Sequence, residues 1–447
     1  MEKKKLTVNL LNDSFPPQID GVTNAVLNYA NIIEEKYGHA IVSTPENPDA
    51  IDAYPFEVLR YPSLDTTKMV GYRAGLPLNL NYVSQFASKN IDILHSHCPI
   101  ASNYLARAIR ETIHRPIIMT YHTIFDIDIR KAIDSKLLQD AAIKLLVQNI
   151  EAVDEVWAVS RGAGENLKSL GYSGDYIVMP NGVDFTKGPA SEKEIEQINY
   201  EYNLHAKKPV YLFVGRIMWY KGLKIILDAL KTLDEKGQDF YMMFVGGGLD
   251  EQEVRDYARE IGVYNKCIFT GSVSDRSKLK ALFSRADLFL FPSTFDTNGI
   301  VVREAAASGL ASVLVKDSCA AEDTVDKQNC FWIEENADSL AKLLYDIGDN
   351  YELMHTIGTN AMNQLYTSWD ESVERAYERY LYVNEKYQYD KPKPFDGVPF
   401  DQFFNLFGDI AAGLDKVHKA SDEARTMGRE FREEATSMLE EFMDRWL

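Results

Sequence analysis

The chain has 447 residues, 45% of them hydrophobic and 26% charged, which is enough material for two folded domains. Its formal net charge of −19 argues against a nucleic-acid partner, because such proteins need a basic surface. No run of about 18 apolar residues is present, and the first residues lack a signal-peptide pattern, so a cytoplasmic protein without a membrane-spanning helix is expected. Four cysteines without metal-binding spacing are expected to be reduced thiols: Cys98, Cys267, Cys319 and Cys330.

Short apolar runs alternate with longer helical patterns along most of the chain. A first series of strands is predicted at 6–11, 91–95, 117–121, 155–159 and 176–179. A second series is predicted at 210–214, 241–245, 267–270, 288–291 and 312–315. Strands of this length that are apolar throughout and separated by helices indicate parallel sheets. The fold class is therefore α/β, with two Rossmann-like, doubly wound domains in tandem.

Composition sets the expected domain borders. The N-terminal domain is predicted over 1–190 and the second domain over 191–368, because a charged stretch poor in apolar residues lies at 188–201. A long helical pattern over 369–390 closes the second series, and we expect this helix to cross back to the N-terminal domain. A proline-rich linker then leads into a helical C-terminal extension over 391–447. Its apolar stripes must pack on the chain's own body, on a second copy as a homodimer, or on a membrane.

The loop that follows the first strand of the second series has a composition suited to phosphate. Gly215 permits close approach of the backbone, and Arg216 and Lys221 place two cations on the same loop. The carboxyl ends of strands face the ligand site in a doubly wound domain. An arginine fork with a lysine point charge can neutralise a diphosphate, although a solvated loop would have the same composition.

A second candidate element follows the predicted strand at 288–291. Gly299 opens a helix, so backbone N–H groups of its first turn can face an anion. Asp296 lies just before this helix and Glu304 about one turn inside it. Two carboxylates around a helix N-terminus suit the binding of sugar hydroxyls beside a phosphate. Taken alone, the pair is better explained as an aspartate near a helix cap and an ordinary helix glutamate.

Together these motifs resemble family 4 retaining glycosyltransferases, which have the GT-B fold of two Rossmann-like domains facing a cleft. The spacing from Asp296 to Glu304 is similar to the family's Glu-x7-Glu motif, and Arg216 with Lys221 is similar to its diphosphate-binding pair. Further family signatures occur in the same order, at 15–24, 95–99, 120–123 and 180–184. The resemblance covers roughly residues 6–387 and leaves the C-terminal extension outside it.

The resemblance implies how the second domain would bind a nucleotide-sugar donor. Arg216 and Lys221 would neutralise the diphosphate leaving group, so the family needs no metal ion. Backbone N–H groups would come from Asn298, Gly299 and Ile300. Fixed cations and helix-terminal N–H groups stabilise the negative charge that develops when the bond between sugar and phosphate breaks.

The resemblance also implies roles around the sugar and the ribose. Glu304 would bind the nucleotide ribose, and Asp296 would contact hydroxyls of the transferred sugar. Gly21 would lie near the sugar phosphate, and His122 near the reacting carbon. Asp296 departs from the family, which usually has the longer glutamate at this position, and this puts the identity of the donor sugar in doubt.

Three other motifs have alternative explanations. Asp126 and Asp128 resemble the Asp-x-Asp metal motif of another glycosyltransferase fold, but two carboxylates alone are a poor ligand set. The histidines at 95 and 97 could bind a metal, although hydrogen-bonded packing at a strand end is favoured. The triple glycine at 246–248 lacks the third glycine of a dinucleotide loop, which argues against a nicotinamide enzyme.

The acceptor is suggested by further similarity to bacterial glycosyltransferases that act on diacylglycerol, in the section 54–77 and at 21–24. A helical pattern over 127–153 carries basic residues among apolar ones and could lie on a membrane surface, but packing in the core is favoured. The hypothesis is therefore a metal-independent, retaining hexosyltransferase that uses UDP-glucose and a lipid such as diacylglycerol, cytoplasmic or peripheral on the inner face of the cell membrane. The alternatives are a transferase for cell-wall or exopolysaccharide synthesis and a catalytically silent nucleotide-sugar-binding or scaffold protein.

Overall fold

A computed structural model describes residues 4–67, 73–123, 125, 129–130, 135–204, 208–294, 296 and 299–387. Contacts between residues divide the chain into two compact units. Among the described residues, unit 1 contains those up to Ala158, those from Gly164 to Ile177 and those from Arg375 onward. Unit 2 contains Val159–Ala163 and Val178–Glu374. The predicted C-terminal extension over 391–447 lies outside the described residues.

Unit 1 is built on a sheet of seven strands. The strands of the first half of the chain are β1 Thr7–Leu11, β2 His39–Pro45, β3 Glu57–Tyr61, β4 Ser63–Leu64, β5 Ala74–Gly75, β6 Ile93–Ser96, β7 Ile117–Tyr121, β8 Glu155–Ala158 and β9 Ile177–Val178. The sheet has the order β3-β2-β1-β6-β7-β8-β9, in which the neighbouring pairs from β3 to β8 are parallel, and β4 pairs with β5 in a small antiparallel ribbon. The strand order therefore reverses between β1 and β6, which are hydrogen-bonded neighbours.

Helices connect these strands and cover the sheet. They are α1 Gly21–Ile32, continued by a π-helical turn over Ile33–Tyr37, α2 Leu80–Ser84, continued by a 3₁₀ turn over Gln85–Ser88, α3 Ala101–Ile113, α4 Lys136–Glu151 and α5 Arg161–Ser169. Helix α4 contains most of the described part of the predicted membrane-surface helix. Its apolar residues Ile143, Leu146 and Ile150 are buried, as expected of a helix packed in the core.

Unit 2 is built on a second parallel sheet. Its strands are β10 Val210–Val214, β11 Tyr241–Val245, β12 Cys267–Gly271, β13 Leu288–Phe291, β14 Ser312–Val315 and β15 Phe331–Ile333. They lie in the order β12-β11-β10-β13-β14-β15, and every neighbouring pair is parallel. The order reverses between β10 and β13. All five residues of β10 are buried, which explains why this strand is apolar throughout.

The helices of the second half of the chain flank this sheet. They are α6 Glu192–Glu201, α7 Leu223–Glu235, α8 Glu251–Glu260, α9 Arg276–Arg285, α10 Ile300–Ala307, α11 Ala337–Ile347, α12 Tyr351–Gln364 and α13 Trp369–Lys386, with 3₁₀ turns at Trp219–Lys221, Tyr264–Lys266 and Cys319–Ala321. Helix α7 shows the rule by which they pack. Its residues Leu223, Ile226, Leu227 and Leu230 recur at helical spacing and are fully buried.

All ten predicted strands are present, with ends that shift by at most two residues. The sequence pattern missed β2, β3, the three-residue β15 and the two-residue strands β4 and β5. Strand β2 is buried but includes the polar Ser43, whose hydroxyl donates to Asn9 Oδ1 at 2.9 Å. Strand β3 lies at the sheet edge and is largely polar or half-exposed. Neither strand therefore reads as a continuous apolar run.

Residues just before the predicted domain border at 190 pack with unit 2. Val183 and Phe185 are buried in the core of unit 2. Val183 also pairs with Ser368, and Gly182 packs so closely on Trp369 that a Cβ atom would lie 2.4 Å from the Trp369 backbone. Helix α6, in the stretch that was interpreted as a border, begins with a capping box made by Ser191 and Glu194. Its charged residues form the outer face of a helix rather than a linker.

Candidate active site

The loop after β10 lies at the point where the strand order of unit 2 reverses, which is where doubly wound domains bind ligands. Gly215 adopts φ +155° and donates its N–H to the Val245 carbonyl at 3.0 Å. The adjoining loop approaches it at van der Waals distance. A Cβ atom on Gly246 would lie 2.0 Å from the Gly215 carbonyl oxygen, and one on Gly248 would lie 2.2 Å from the Ile217 carbonyl oxygen. The triple glycine therefore allows two loops to pack backbone on backbone.

Lys221 and Asp296 belong to different loops, after β10 and after β13, and they form an ion pair. Lys221 Nζ donates to Asp296 Oδ1 at 2.6 Å, and the Ser293 hydroxyl donates to Asp296 Oδ2 at 2.6 Å. Lys221 is 8% exposed and Ser293 is fully buried. The fold thus brings together a cation and a carboxylate that lie 75 residues apart in sequence. A partly buried pair of this kind keeps both side chains in fixed positions.

Helix α10 begins beside Asp296. Gly299 is its N-cap residue and adopts the left-handed conformation, with φ +54°. The Val302 and Arg303 N–H groups return to the Gly299 carbonyl, so the first N–H groups of the helix, beginning with that of Ile300, point away from the helix body. A glycine cap offers these groups no side-chain acceptor, and among the described residues nothing prevents them from facing an external anion. Asn298, expected to contribute to the same site, lies outside the described residues.

Glu304 lies in the same helix and is buried, with 5% of its surface exposed. Its Oε1 accepts a hydrogen bond from Arg276 Nη2 at 2.5 Å. Burial raises the pKa of the Glu304 carboxyl, and the Arg276 guanidinium opposes that rise. Arg276 itself lies 3.6 Å from Asp184 Oδ2. The Glu304 carboxylate is therefore held by Arg276, a cation that lies outside the motifs found in the sequence.

Arg216 is exposed on the loop after β10. No hydrogen bond or ion pair joins it to any residue in the described part of the chain. It differs in this respect from Lys221, which is buried and paired on the same loop. Arg216 is therefore available to an anion from solvent, whereas the Lys221 ammonium is already fixed in place.

The corresponding edge of unit 1 is formed by the loops after β1, β6 and β7. Asp20 is the N-cap residue of α1, where it accepts from the Thr23 N–H at 2.7 Å. Gly21 is the first residue of that helix, and no atom lies within 4 Å of a Cβ atom built on it. Asp13 joins two loops, because its carboxylate accepts from the Ala101 N–H at 3.1 Å and from the Ser102 N–H at 2.6 Å.

Three histidines cluster at this edge of unit 1. His97 Nδ1 lies 3.0 Å from His122 Nε2, and His95 bonds to the Thr120 and Tyr380 hydroxyls at 2.7 and 2.5 Å. Burial lowers the pKa of His122 to about 4, against a smaller opposing effect of Asp20. Burial also lowers the pKa values of His95 and His97. The cluster is therefore neutral near pH 7, and the prediction that His95 and His97 are hydrogen-bonded packing residues is confirmed.

Neither a metal-ligand cluster nor a membrane-spanning helix occurs among the residues that the structure describes. Among the described residues, no group of three or more His, Cys, Asp or Glu side chains is arranged to hold a metal ion. Asp126 and Asp128, the alternative metal motif, lie outside the described residues. Among the helices that the structure describes, none is both long and apolar enough to cross a membrane.

The sequence analysis did not predict that Arg276, Ser293 and Asp13 lie at the carboxyl edges of the two sheets. Arg276 is the first residue of α9 and follows β12, so it lies at the same carboxyl edge as the predicted loops. Its position at the start of a helix that follows a parallel strand could therefore have indicated a place in the donor site. Ser293 and Asp13 carried no comparable signal, because their role depends on which loop lies beside them.

Comparison with known proteins identifies both halves of the chain. A model described as Glycosyltransferase Family 4 matches residues 19–187, and one described as Glycosyl transferases group 1 matches residues 194–364.

Similar curated proteins include two alpha-monoglucosyldiacylglycerol synthases. The protein from Streptococcus pneumoniae is 22% identical over 68% of this chain and 70% of its own length. The protein from Acholeplasma laidlawii is 22% identical over 80% of this chain and 92% of its own length.

Among solved structures, Anabaena HepE in complex with UDP superimposes with a TM-score of 0.67 at 18% identity. The match covers 84% of this chain and 99% of that one. Together with the two parallel sheets and their strand order, these matches show that the chain belongs to the family 4 glycosyltransferases and has the GT-B fold.

Proposed function

We propose that this glycosyltransferase transfers a hexose from a nucleotide sugar, with UDP-glucose as the favoured donor, to a lipid acceptor such as diacylglycerol. The similarity to two alpha-monoglucosyldiacylglycerol synthases over most of the chain supports the sugar and the acceptor. The fold shared with a protein that binds UDP supports the nucleotide. Retention of the anomeric configuration is expected from the family.

One observation carries the proposal of a donor site in unit 2. The Lys221–Asp296 pair, 2.6 Å between Nζ and Oδ1, lies beside the N-terminus of α10 at the reversal of the strand order. Each of these three groups suits one feature of a nucleotide sugar. The cation and the helix N-terminus can bind the diphosphate from two sides, and the carboxylate can bind hydroxyls of the sugar.

The donor reaction breaks the bond between the anomeric carbon and a diphosphate oxygen. Negative charge develops on the diphosphate while the sugar gains oxocarbenium character. We assign the neutralisation of that charge to Lys221, to the exposed Arg216 and to the first N–H groups of α10 around Gly299 and Ile300. Because Lys221 is already fixed by Asp296, little reorganisation is needed when the charge appears.

The carboxylates would fix the remaining parts of the donor. Asp296 would accept hydrogen bonds from hydroxyls of the transferred sugar while it keeps its bond to Lys221. Glu304 would accept from the ribose hydroxyls. His122, neutral because of its lowered pKa, would act on the sugar as a hydrogen-bonding group rather than as a charge. On the same face, the leaving phosphate would take the proton from the attacking acceptor hydroxyl, as the family resemblance implies.

The decisive experiment is a donor-hydrolysis screen over UDP-, GDP- and ADP-sugars, repeated with neutral vesicles that contain diacylglycerol. We expect one UDP-hexose to be hydrolysed slowly and to be transferred to diacylglycerol when vesicles are added, giving an α-linked product by NMR. Asp296→Asn should abolish transfer, whereas Asp228→Asn, which removes a half-buried carboxylate paired with Lys224 on α7, should not. Transfer to a soluble saccharide but not to lipid would contradict the acceptor, and no turnover of any donor would contradict the enzyme assignment.

A further inference from the structure

We propose that Arg276 is a positioning residue for the donor, which holds Glu304 so that one carboxylate oxygen remains to bind the ribose hydroxyls. The inference rests on the proposed function, in which Glu304 binds the ribose of the nucleotide. Arg276 lies outside the two motifs from which the donor site was predicted, and it enters the site only through the packing of α9 beside α10.

The two oxygens of Glu304 have different surroundings. Oε1 accepts from Arg276 Nη2 at 2.5 Å, a short, charge-assisted bond. Oε2 makes no hydrogen bond to any residue that the structure describes, and the Glu304 side chain is only 7% exposed. A nearly buried carboxylate with one oxygen satisfied can still accept hydrogen bonds through the other. The geometry therefore assigns Oε1 to the protein and Oε2 to a ligand.

The Arg276 side chain is 44% exposed, but its guanidinium has two contacts besides Glu304. Its guanidinium carbon lies 4.4 Å from the centroid of the Phe185 ring, and Nη2 lies 3.6 Å from Asp184 Oδ2. Phe185 is buried against Phe283, so the ring that carries the guanidinium does not move freely. Asp275 caps the start of α9 and holds the backbone from which the arginine projects. The cation is thus placed before any donor binds.

The Arg276 guanidinium counteracts the effect of burial on the protonation of Glu304. A buried carboxyl without a partner tends to take up a proton, and a protonated carboxyl accepts hydrogen bonds poorly. An arginine side chain keeps its charge, and the Arg276 guanidinium therefore opposes the rise that burial causes in the pKa of the Glu304 carboxyl. The bond from Nη2 to Oε1 also restrains rotation of the carboxylate, which would move Oε2 away from the ribose.

The test compares the binding of UDP with that of 2′-deoxy-UDP and 3′-deoxy-UDP by calorimetry on the full chain. In the wild-type protein we expect loss of a ribose hydroxyl to weaken binding about tenfold to a hundredfold, the range of one hydrogen bond to a charged group. Arg276→Ala should reduce that ratio to about threefold or less, and Arg276→Lys should give an intermediate ratio. Lys278→Ala is the matched control. It removes a cation from the same helix, whose partner Glu201 lies outside the site, and should leave the ratio unchanged.

Each outcome decides the proposal. A folded Arg276→Ala protein with the wild-type ratio would show that Glu304 needs no positioning residue. Equal weakening of UDP and the deoxy analogues would show that Arg276 acts on another part of the nucleotide. If Arg276→Ala does not fold, the ratio of Arg276→Lys decides in the same way. Absence of binding of UDP, ADP and GDP to the wild-type protein would instead contradict the proposed function.

Discussion

The two cations that are predicted to bind the diphosphate, Lys221 and Arg216, lie in different environments. Lys221 is buried and already paired, whereas Arg216 is exposed. We expect Lys221→Ala and Arg216→Ala each to lower turnover roughly ten- to thousandfold, the scale for loss of one group that stabilises developing charge. The measurement is the initial rate of transfer at saturating donor. Lys224→Ala, three residues along in α7 and paired with Asp228, is the control and should keep wild-type turnover. Near-normal rates in both folded site variants would mean that the diphosphate binds elsewhere.

The buried histidines link stability to pH. Burial lowers the pKa of His122 to about 4, below the usual value of about 6.5 in an unfolded chain. The unfolded state therefore binds more protons than the folded state between these values, and the free energy of unfolding falls as the pH falls through that window. His122→Gln should make the loss of melting temperature between pH 7.5 and pH 5.5 smaller than in the wild-type protein. His355→Gln on the exposed surface of α12 should leave that loss unchanged, and the same loss in both variants would contradict the prediction.

At the scale of elements, the paired glycine loops of unit 2 are the most sensitive feature. A Cβ atom on Gly248 would lie 2.2 Å from the Ile217 carbonyl oxygen, and both groups are backbone that cannot rotate away. Gly248→Ala should therefore lower the free energy of unfolding by about 1–3 kcal/mol, as overpacking does, and should displace the loop that carries Arg216. Chemical denaturation measures the first effect. Gly21→Ala is the control, since no atom lies within 4 Å of its added Cβ, and it should leave stability unchanged or slightly higher.

At the scale of the whole molecule, two expectations remain predictions. The first is that turnover needs no metal ion, because Lys221, Arg216 and the N-terminus of α10 can neutralise the diphosphate. Transfer measured after dialysis against a strong chelator should keep more than about half of its rate, since fixed cations are not removed by a chelator. Loss of the rate, with recovery on addition of magnesium or manganese, would direct attention to Asp126 and Asp128.

The second whole-molecule prediction concerns the extension over 391–447, which lies outside the described residues. Its apolar stripes and its proline-rich linker predict a segment that packs on a surface without entering the chemistry. Truncation after Tyr389 should keep donor hydrolysis within about threefold of the full chain while it changes oligomeric state or solubility. Hydrolysis and light scattering on the two proteins measure this. A folded, monodisperse truncated protein without hydrolysis would show that the extension completes the active site.

Local sequence was sufficient for the class of fold and for the loops that could bind a donor. Strands such as β10 are apolar because both of their faces are buried, so the period of the pattern alone reveals a parallel sheet. The loops after β10 and β13 were predicted because glycine, cations and carboxylates follow those strands directly in the chain. Family resemblance then assigned roles to residues that chemistry alone left ambiguous.

Only the tertiary structure decided which of these groups meet. The pairing of Lys221 with Asp296 and of Glu304 with Arg276 depends on which strands and helices lie side by side. The hydrophobic pattern of a strand does not reveal which strands are its neighbours in the sheet. The edge strand β3 was missed because a polar strand at a sheet edge resembles a loop in sequence. Burial set the charge of the histidine cluster, because the pKa of His122 is lowered by loss of water rather than by any neighbour in the sequence.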